Sequence, residues 1–129
     1  MDPLTHLATT AAARGASRAE RAHLARALGS GRHALVLFYS KNCRLCRALQ
    51  PVVDEAEACE ADWMRVVRVC TDSDQEWAPE ILHYGIEHVP CLVMLQPGGN
   101  AISKSGSPRN LQHMRETLEL LLKQAKAQL

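Results

Sequence analysis

SKNCRLCRALQP, residues 40–51, sets Cys43 and Cys46 two residues apart where a strand-like run gives way to a helix-like one. On its N-terminal side, ALVLFY (34–39) is short, continuous and apolar, the pattern of a strand buried on both faces. On its C-terminal side a helix is expected from about Arg44 to about Glu60, with Pro51 removing an internal hydrogen bond and bending it. Two cysteines at this spacing can hold a metal, pin the fold or do redox chemistry. The rest of the chain has to decide.

Outward from the pair, the segments alternate. Ser17 to Leu28 carries Ala22, Leu24, Ala25 and Leu28 at helical spacing and is closed by Gly29 and Gly31. Met64 to Cys70 is β-branched and apolar enough for a second strand. Asp72 or Asp74 can cap a short helix through His83, ended by Gly85. CLVML (91–95) reads as a third strand, QPGGN (96–100) as a turn, and AISK (101–104) as a strand that pairs back to form a hairpin. Ser107, with Pro108 at the first helical position, is expected to start a last helix. On that helix Leu111, Met114, Leu118, Leu121, Leu122 and Ala125 make a one-sided stripe, read as a core-packing face. The order α-β-α-β-α-β-β-α predicts an α/β fold, a three-layer sandwich around a mixed sheet. A parallel portion would be joined by right-handed crossovers, and the closing hairpin would add an antiparallel edge.

Composition narrows the function. A chain of 129 residues fits one domain, with residues 1–16 expected as a flexible lead-in and 17–129 as the folded unit. The formal charge of +1, with no basic patch interleaved with aromatics, gives nucleic-acid binding no support. The longest apolar runs are strand-length, so no membrane span is expected. The five cysteines, Cys43, Cys46, Cys59, Cys70 and Cys91, form no regular framework, which favours a reducing compartment. The N-terminus lacks the apolar core of a secretory signal. Its Ala and Arg content, with Asp2 and Glu20 as its only acids before residue 33, leaves a remnant of organelle targeting open beside the plainer reading of a disordered lead-in and surface helix. A structural zinc site needs four ligands, and neither the other cysteines nor the six scattered histidines supply a matched second pair. No metal is expected.

Taken in order, these features resemble the thioredoxin family over roughly residues 17–125. LVLFYSKNCRLC (35–46) is similar to the family's strand running into Cys-x-x-Cys, and Pro51 falls where thioredoxins kink the active-site helix. YGIEHVPCLVM (84–94) resembles the segment that carries the family's cis-proline, here Pro90. Gly98 and Gly99 fit the hairpin turn, and Gly106 the glycine before the last helix. A glutaredoxin would share the Cys-x-x-Cys and Val-Pro features. The N-terminal helix and the Pro-Gly-Gly hairpin match a thioredoxin better, and no glutathione-carboxylate cluster is evident.

There are departures. Asn42-Cys43-Arg44-Leu45-Cys46 stands where the family usually has Trp-Cys-Gly-Pro-Cys. Leu37 occupies the position of a buried carboxylate thought to aid proton transfer, and Tyr39 replaces a structural tryptophan. Arg44 within the dipeptide and Cys91 after the proline resemble atypical plastid thioredoxins and the thioredoxin module of plastid thioredoxin reductases, which points to a plastid stroma beside the cytoplasm.

The resemblance implies thiol-disulfide exchange with protein disulfides as substrates, and no cofactor beyond a redox-active Cys43–Cys46 disulfide. Cys43, just before the helix, would receive orphan backbone N–H groups and the positive end of the helix dipole, and Arg44 adds a cation, all favouring the thiolate. Cys46, about 5–6 Å further along the helix, is the resolving thiol. Pro90 is expected beside the pair. Having no N–H, it leaves the Val89 backbone to pair with an extended substrate, while Asn42 and Arg44 flank the platform. Without a carboxylate at Leu37, resolution is expected to be slower. With Arg-Leu for Gly-Pro, the pair is expected to be less reducing than the roughly −270 mV of thioredoxin. Cys91 is either a third redox thiol or a small buried residue. Thioredoxin reductase and glutathione are both open as electron donors. The rival function is an adaptor or structural subunit of a larger assembly with idle cysteines.

Overall fold

A computed structural model describes residues 14–129. Residues 1–13, most of the expected lead-in, lie outside the described residues. The elements are α1 (Arg14–Leu28), β1 (His33–Tyr39), α2 (Arg44–Cys59), β2 (Met64–Cys70), a 3-10 turn at Thr71–Ser73, α3 (Asp74–Tyr84), β3 (Cys91–Leu95), β4 (Ala101–Lys104) and α4 (Leu111–Lys126). The first helix therefore begins three residues before the expected Ser17. Its buried face is Arg21, Leu24 and Ala27, while Ala22 and Ala25 face solvent. Arg21 can be buried because α3 supplies Glu80 as its partner, 3.1 Å away.

The sheet order is β2-β1-β3-β4. β1 and β2 are parallel, Tyr39 pairing with Cys70 at their C-terminal ends. β3 is antiparallel to β1, with Phe38 opposite Cys91, and β4 is antiparallel to β3. The antiparallel part thus includes β3 itself and is larger than the closing hairpin expected from sequence. The reason lies in the registers: β2 ends and β3 begins at the same end of the sheet, so the α3 connection returns the chain to the level it left. α3 stops at Gly85, whose φ of +64° suits a residue without Cβ. The Ile86 N–H reaches back to the Ile81 carbonyl at 2.9 Å, closing the helix end.

Period-two alternation along the strands separates two core halves. Leu35, Leu37, Met64, Val66, Leu92 and Met94 face the α2/α4 layer and meet Leu49, Val53, Met114, Leu118 and Leu121. Ala34, Val36, Phe38, Val67, Val69, Cys91, Val93 and Leu95 face the α1/α3 layer and meet Leu24, Ala27 and Trp77. Pro51 lies on the exposed side of an unbroken α2, where its missing N–H is least costly. The last helix starts later than expected. Asn110, not Ser107, is its N-cap, its side chain accepting the His113 N–H at 2.8 Å. Starting at Leu111 puts the stripe Met114, Leu118, Leu121 and Ala125 onto the sheet.

Candidate active site

The cysteine pair sits at the C-terminal end of β1, where the chain leaves the sheet and turns into α2. Cys43 is the N-cap of that helix, with extended backbone angles (φ −91°, ψ 112°), and its Sγ accepts the Cys46 N–H at 3.0 Å. One of the orphan donors of the helix start is thereby spent on sulfur. Cys43 and Cys46 are joined as a disulfide, their Cα atoms 5.2 Å apart. The two sulfurs are not equivalent. Cys43 is half-buried, whereas Cys46 is 1% exposed. Asn42 and Arg44, on either side of Cys43, are exposed.

The Val89–Pro90 peptide bond is cis. Continuing the antiparallel register one step past Phe38–Cys91 sets Pro90 level with Tyr39, the residue from which the cysteine loop departs. Pro90 is buried, and Val89 is half-buried against the α1/α3 core. Among the described residues the Val89 backbone makes no main-chain hydrogen bond.

Cys91 lies differently from the pair. It packs in the α1/α3 half of the core, whereas α2, which carries Cys46, covers the other face of the sheet. Its Sγ lies 3.7 Å from the Ser105 hydroxyl, and burial pushes its thiol pKa up. This environment suits a small inert core residue better than a third redox thiol. Cys70 is likewise buried with its pKa raised by desolvation, while Cys59 is exposed at the far end of α2. Leu37 is fully buried beneath α2, so the helix that carries the pair rests there on hydrocarbon.

Two carboxylates come close to this region that the sequence did not single out for it. Glu20 of α1 reaches the end of β2, accepting the Cys70 N–H at 3.0 Å and facing the Tyr39 hydroxyl at 3.5 Å. Desolvation raises its pKa, against the effect of those hydrogen bonds. Burial, together with the Glu20 charge, pushes the Tyr39 phenol up to about 12. Asp72, expected as a helix cap, turns instead to the cysteine loop. It accepts the Ser40 hydroxyl at 2.7 Å and the Lys41 N–H at 3.1 Å, and both bonds hold its carboxyl below the usual range. The parallel pairing of Tyr39 with Cys70 brings these two loops together, a contact across about thirty residues that no local pattern announces. Among the described residues no three His, Cys, Asp or Glu side chains converge as a metal site would require. No helix there is long and apolar enough to cross a membrane.

The thioredoxin family model matches residues 18–120, four-fifths of the chain. The chain belongs to the thioredoxin family. Among relatives, it is 31% identical over 107 residues to a thiol:disulfide interchange protein TxlA homolog from Synechocystis, covering 82% of this chain and 59% of that one. It is 32% identical over 74 residues to the chloroplastic thioredoxin-like protein HCF164 of rice, covering 57% of this chain and 28% of that protein. It is 38% identical over 64 residues to thioredoxin 1 of Synechococcus elongatus, covering 50% and 57%. The chain therefore spans less than two thirds of the length of these relatives. Membership accounts for the sheet with helices on both faces, and the disulfide at the start of α2 is a redox group intrinsic to such a domain. A pair of this kind, with one partly exposed cysteine at a helix N-terminus and one sealed a turn behind it, has the arrangement that thiol-disulfide exchange needs.

Proposed function

We propose that this chain is a protein-disulfide oxidoreductase in which Cys43 attacks and Cys46 resolves. One observation carries the reading: the partly exposed cysteine is the one whose sulfur caps α2 and takes a backbone N–H, while its partner is sealed one turn behind. In the reduced state the Cys43 thiolate attacks a client disulfide, forming a mixed disulfide and releasing one client thiolate. Cys46 then loses its proton and attacks the Cys43 Sγ. That step releases the second client thiolate and leaves Cys43–Cys46 oxidised, two electrons having passed to the client. With Leu37 beneath the pair, the Cys46 proton goes to water or to a client group, which supports slow resolution.

Val89, whose backbone makes no main-chain hydrogen bond among the described residues, supports docking of an extended client segment beside Pro90, and Asn42 and Arg44 flank it. Reduction of the spent disulfide falls to a thioredoxin reductase or to glutathione. The working compartment is a reducing one, plastid stroma or cytoplasm, in keeping with a chloroplastic and a cyanobacterial protein among the relatives. The test is dithiothreitol-driven reduction of insulin, with Cys43→Ser as the inactive control and Cys46→Ser to trap clients as mixed disulfides. Turnover lost in Cys43→Ser, and clients captured only through Cys43, are the expected results. No turnover and no captured client, with partner assembly intact when both cysteines are replaced, would establish the adaptor role instead.

A further inference from the structure

The loop that delivers Cys43 to the start of α2 is short and held at both sides of one residue. Lys41 gives its N–H to Asp72 at 3.1 Å, and its carbonyl accepts from the Arg47 guanidinium at 3.0 Å. Within the loop the Cys43 N–H bonds the Ser40 carbonyl at 3.2 Å, and the Asn42 N–H lies 3.4 Å from the Ser40 hydroxyl oxygen. Ser40 itself is anchored to the other oxygen of Asp72 at 2.7 Å. Of these ties, only those to Asp72 cross from another part of the fold, the 3-10 turn after β2. The rest are internal to the loop and the helix it feeds, and move with it.

We propose that Asp72 is a positioning residue for Cys43: its carboxylate fixes Ser40 and Lys41 so that the Cys43 sulfur stays in line with the Cys46 N–H. The inference rests on the reading of Cys43 as the attacking thiol. Charged hydrogen bonds to backbone N–H and hydroxyl groups are among the stronger ones, and a bidentate pair fixes orientation as well as distance. Its exposure does not disqualify it, because both oxygens are engaged and its carboxyl is held in the ionised form. The charged and titratable groups that face it are Lys41 and the Cys70 thiol, so the carboxylate does not act on the loop in isolation.

A carboxylate near a thiolate acts in two opposing ways. As a charge it disfavours the thiolate; as a clamp it preserves the N–H donor that stabilises it. Substitution separates them, because Asp72→Asn keeps the shape and an oxygen acceptor but drops the charge, while Asp72→Ala drops both. The measurement is the pH dependence of iodoacetamide alkylation at Cys43 in reduced protein, with Cys59, Cys70 and Cys91 replaced by Ser or Ala in every variant.

Asp72→Ala is expected to move the profile to higher pH and slow alkylation below neutrality roughly three- to tenfold, the loss of thiolate expected for a weakened N–H donor. Asp72→Asn is expected to stay within about twofold of the parent or move slightly to lower pH, as removal of a nearby negative charge favours a thiolate. Equal shifts to lower pH in both variants would reduce Asp72 to a bare charge. Unchanged profiles in both, with only the melting temperature altered, would make it an ordinary loop brace. Either result overturns the proposal. The assay needs neither client nor reductase, so a failure of insulin turnover would count against the oxidoreductase reading and leave this one standing.

Discussion

Replacing Arg21 by Met should be among the costliest single changes away from the cysteines. The Arg21 side chain is 6% exposed and that of Glu80 1%, with Nη1 3.1 Å from one carboxylate oxygen and Nη2 3.4 Å from the other. Nη2 also donates to the Glu76 carbonyl at 2.7 Å, and the guanidinium lies 4.6 Å from the Trp77 ring centre. One side chain therefore joins α1 to α3 through a charge, a carbonyl and an aromatic face. Methionine keeps most of the aliphatic stem but leaves the Glu80 carboxylate buried without that cation, a change that costs about 3–5 kcal/mol. For 129 residues the unfolding entropy near 60 °C is about 0.27 kcal/mol/K, so the melting temperature should fall by roughly 11–18 °C.

The loss carries its own pH signature. In Arg21→Met the buried Glu80 carboxyl loses the Arg21 guanidinium, a partner that favours its charged form, so its folded pKa is raised relative to the parent. The variant is then least handicapped in acid, and the deficit grows as pH climbs through that raised value. Urea denaturation at pH 5 and pH 8 reads this directly. The double change Arg21→Met with Glu80→Leu removes both charges and should recover all but about 1–2 kcal/mol of the parent's stability. A single-variant loss below about 1 kcal/mol, or a loss independent of pH, would refute the reasoning, because the Arg21 charge would then contribute little to holding the buried Glu80 carboxylate.

Glu20→Gln should behave in the opposite sense. Burial raises the Glu20 pKa, so its folded-state benefit is whole in acid and fades as pH rises from about 4.5 upward. Glutamine can still accept the Cys70 N–H, so melting curves of the two proteins should coincide near pH 4 and separate in favour of the variant toward pH 7. With the active pair oxidised, Ellman's reagent should meet one fast thiol, the exposed Cys59. Cys70 and Cys91 should react only after denaturation, and a second fast thiol assigned to Cys91 by mass spectrometry would reopen its redox role.

Much of this fold is written locally. ALVLFY and CLVML are apolar at every position because each strand has a helix layer on both faces, and the two core halves divide along those runs by simple alternation. The cysteine pair was legible because a strand, a helix start and a distant Val-Pro occur in a definite order. Harder to read were features that depend on what pairing brings together. Asp72 scores locally as a helix cap, and only the alignment of β1 with β2 shows that its oxygens serve Ser40 and Lys41. Glu20 sits in a helix with few acids, and nothing nearby in the sequence points to the end of β2. Ser107–Pro108 is a strong start signal, yet Asn110 is the cap, its side chain taking the His113 N–H. Nothing local marks Arg21 as buried, because its partner lies 59 residues away.

The unequal exposure of the two cysteines also sets how this domain meets chemical insult. An oxidant or a small electrophile arriving from outside finds Cys43 well before Cys46, so damage concentrates on one atom. When the lesion is a sulfenic acid, the protected thiol one turn away condenses with it, expels water and restores the ordinary disulfide. The thiol that the proposed cycle holds back for resolution would thus also be the means of repair.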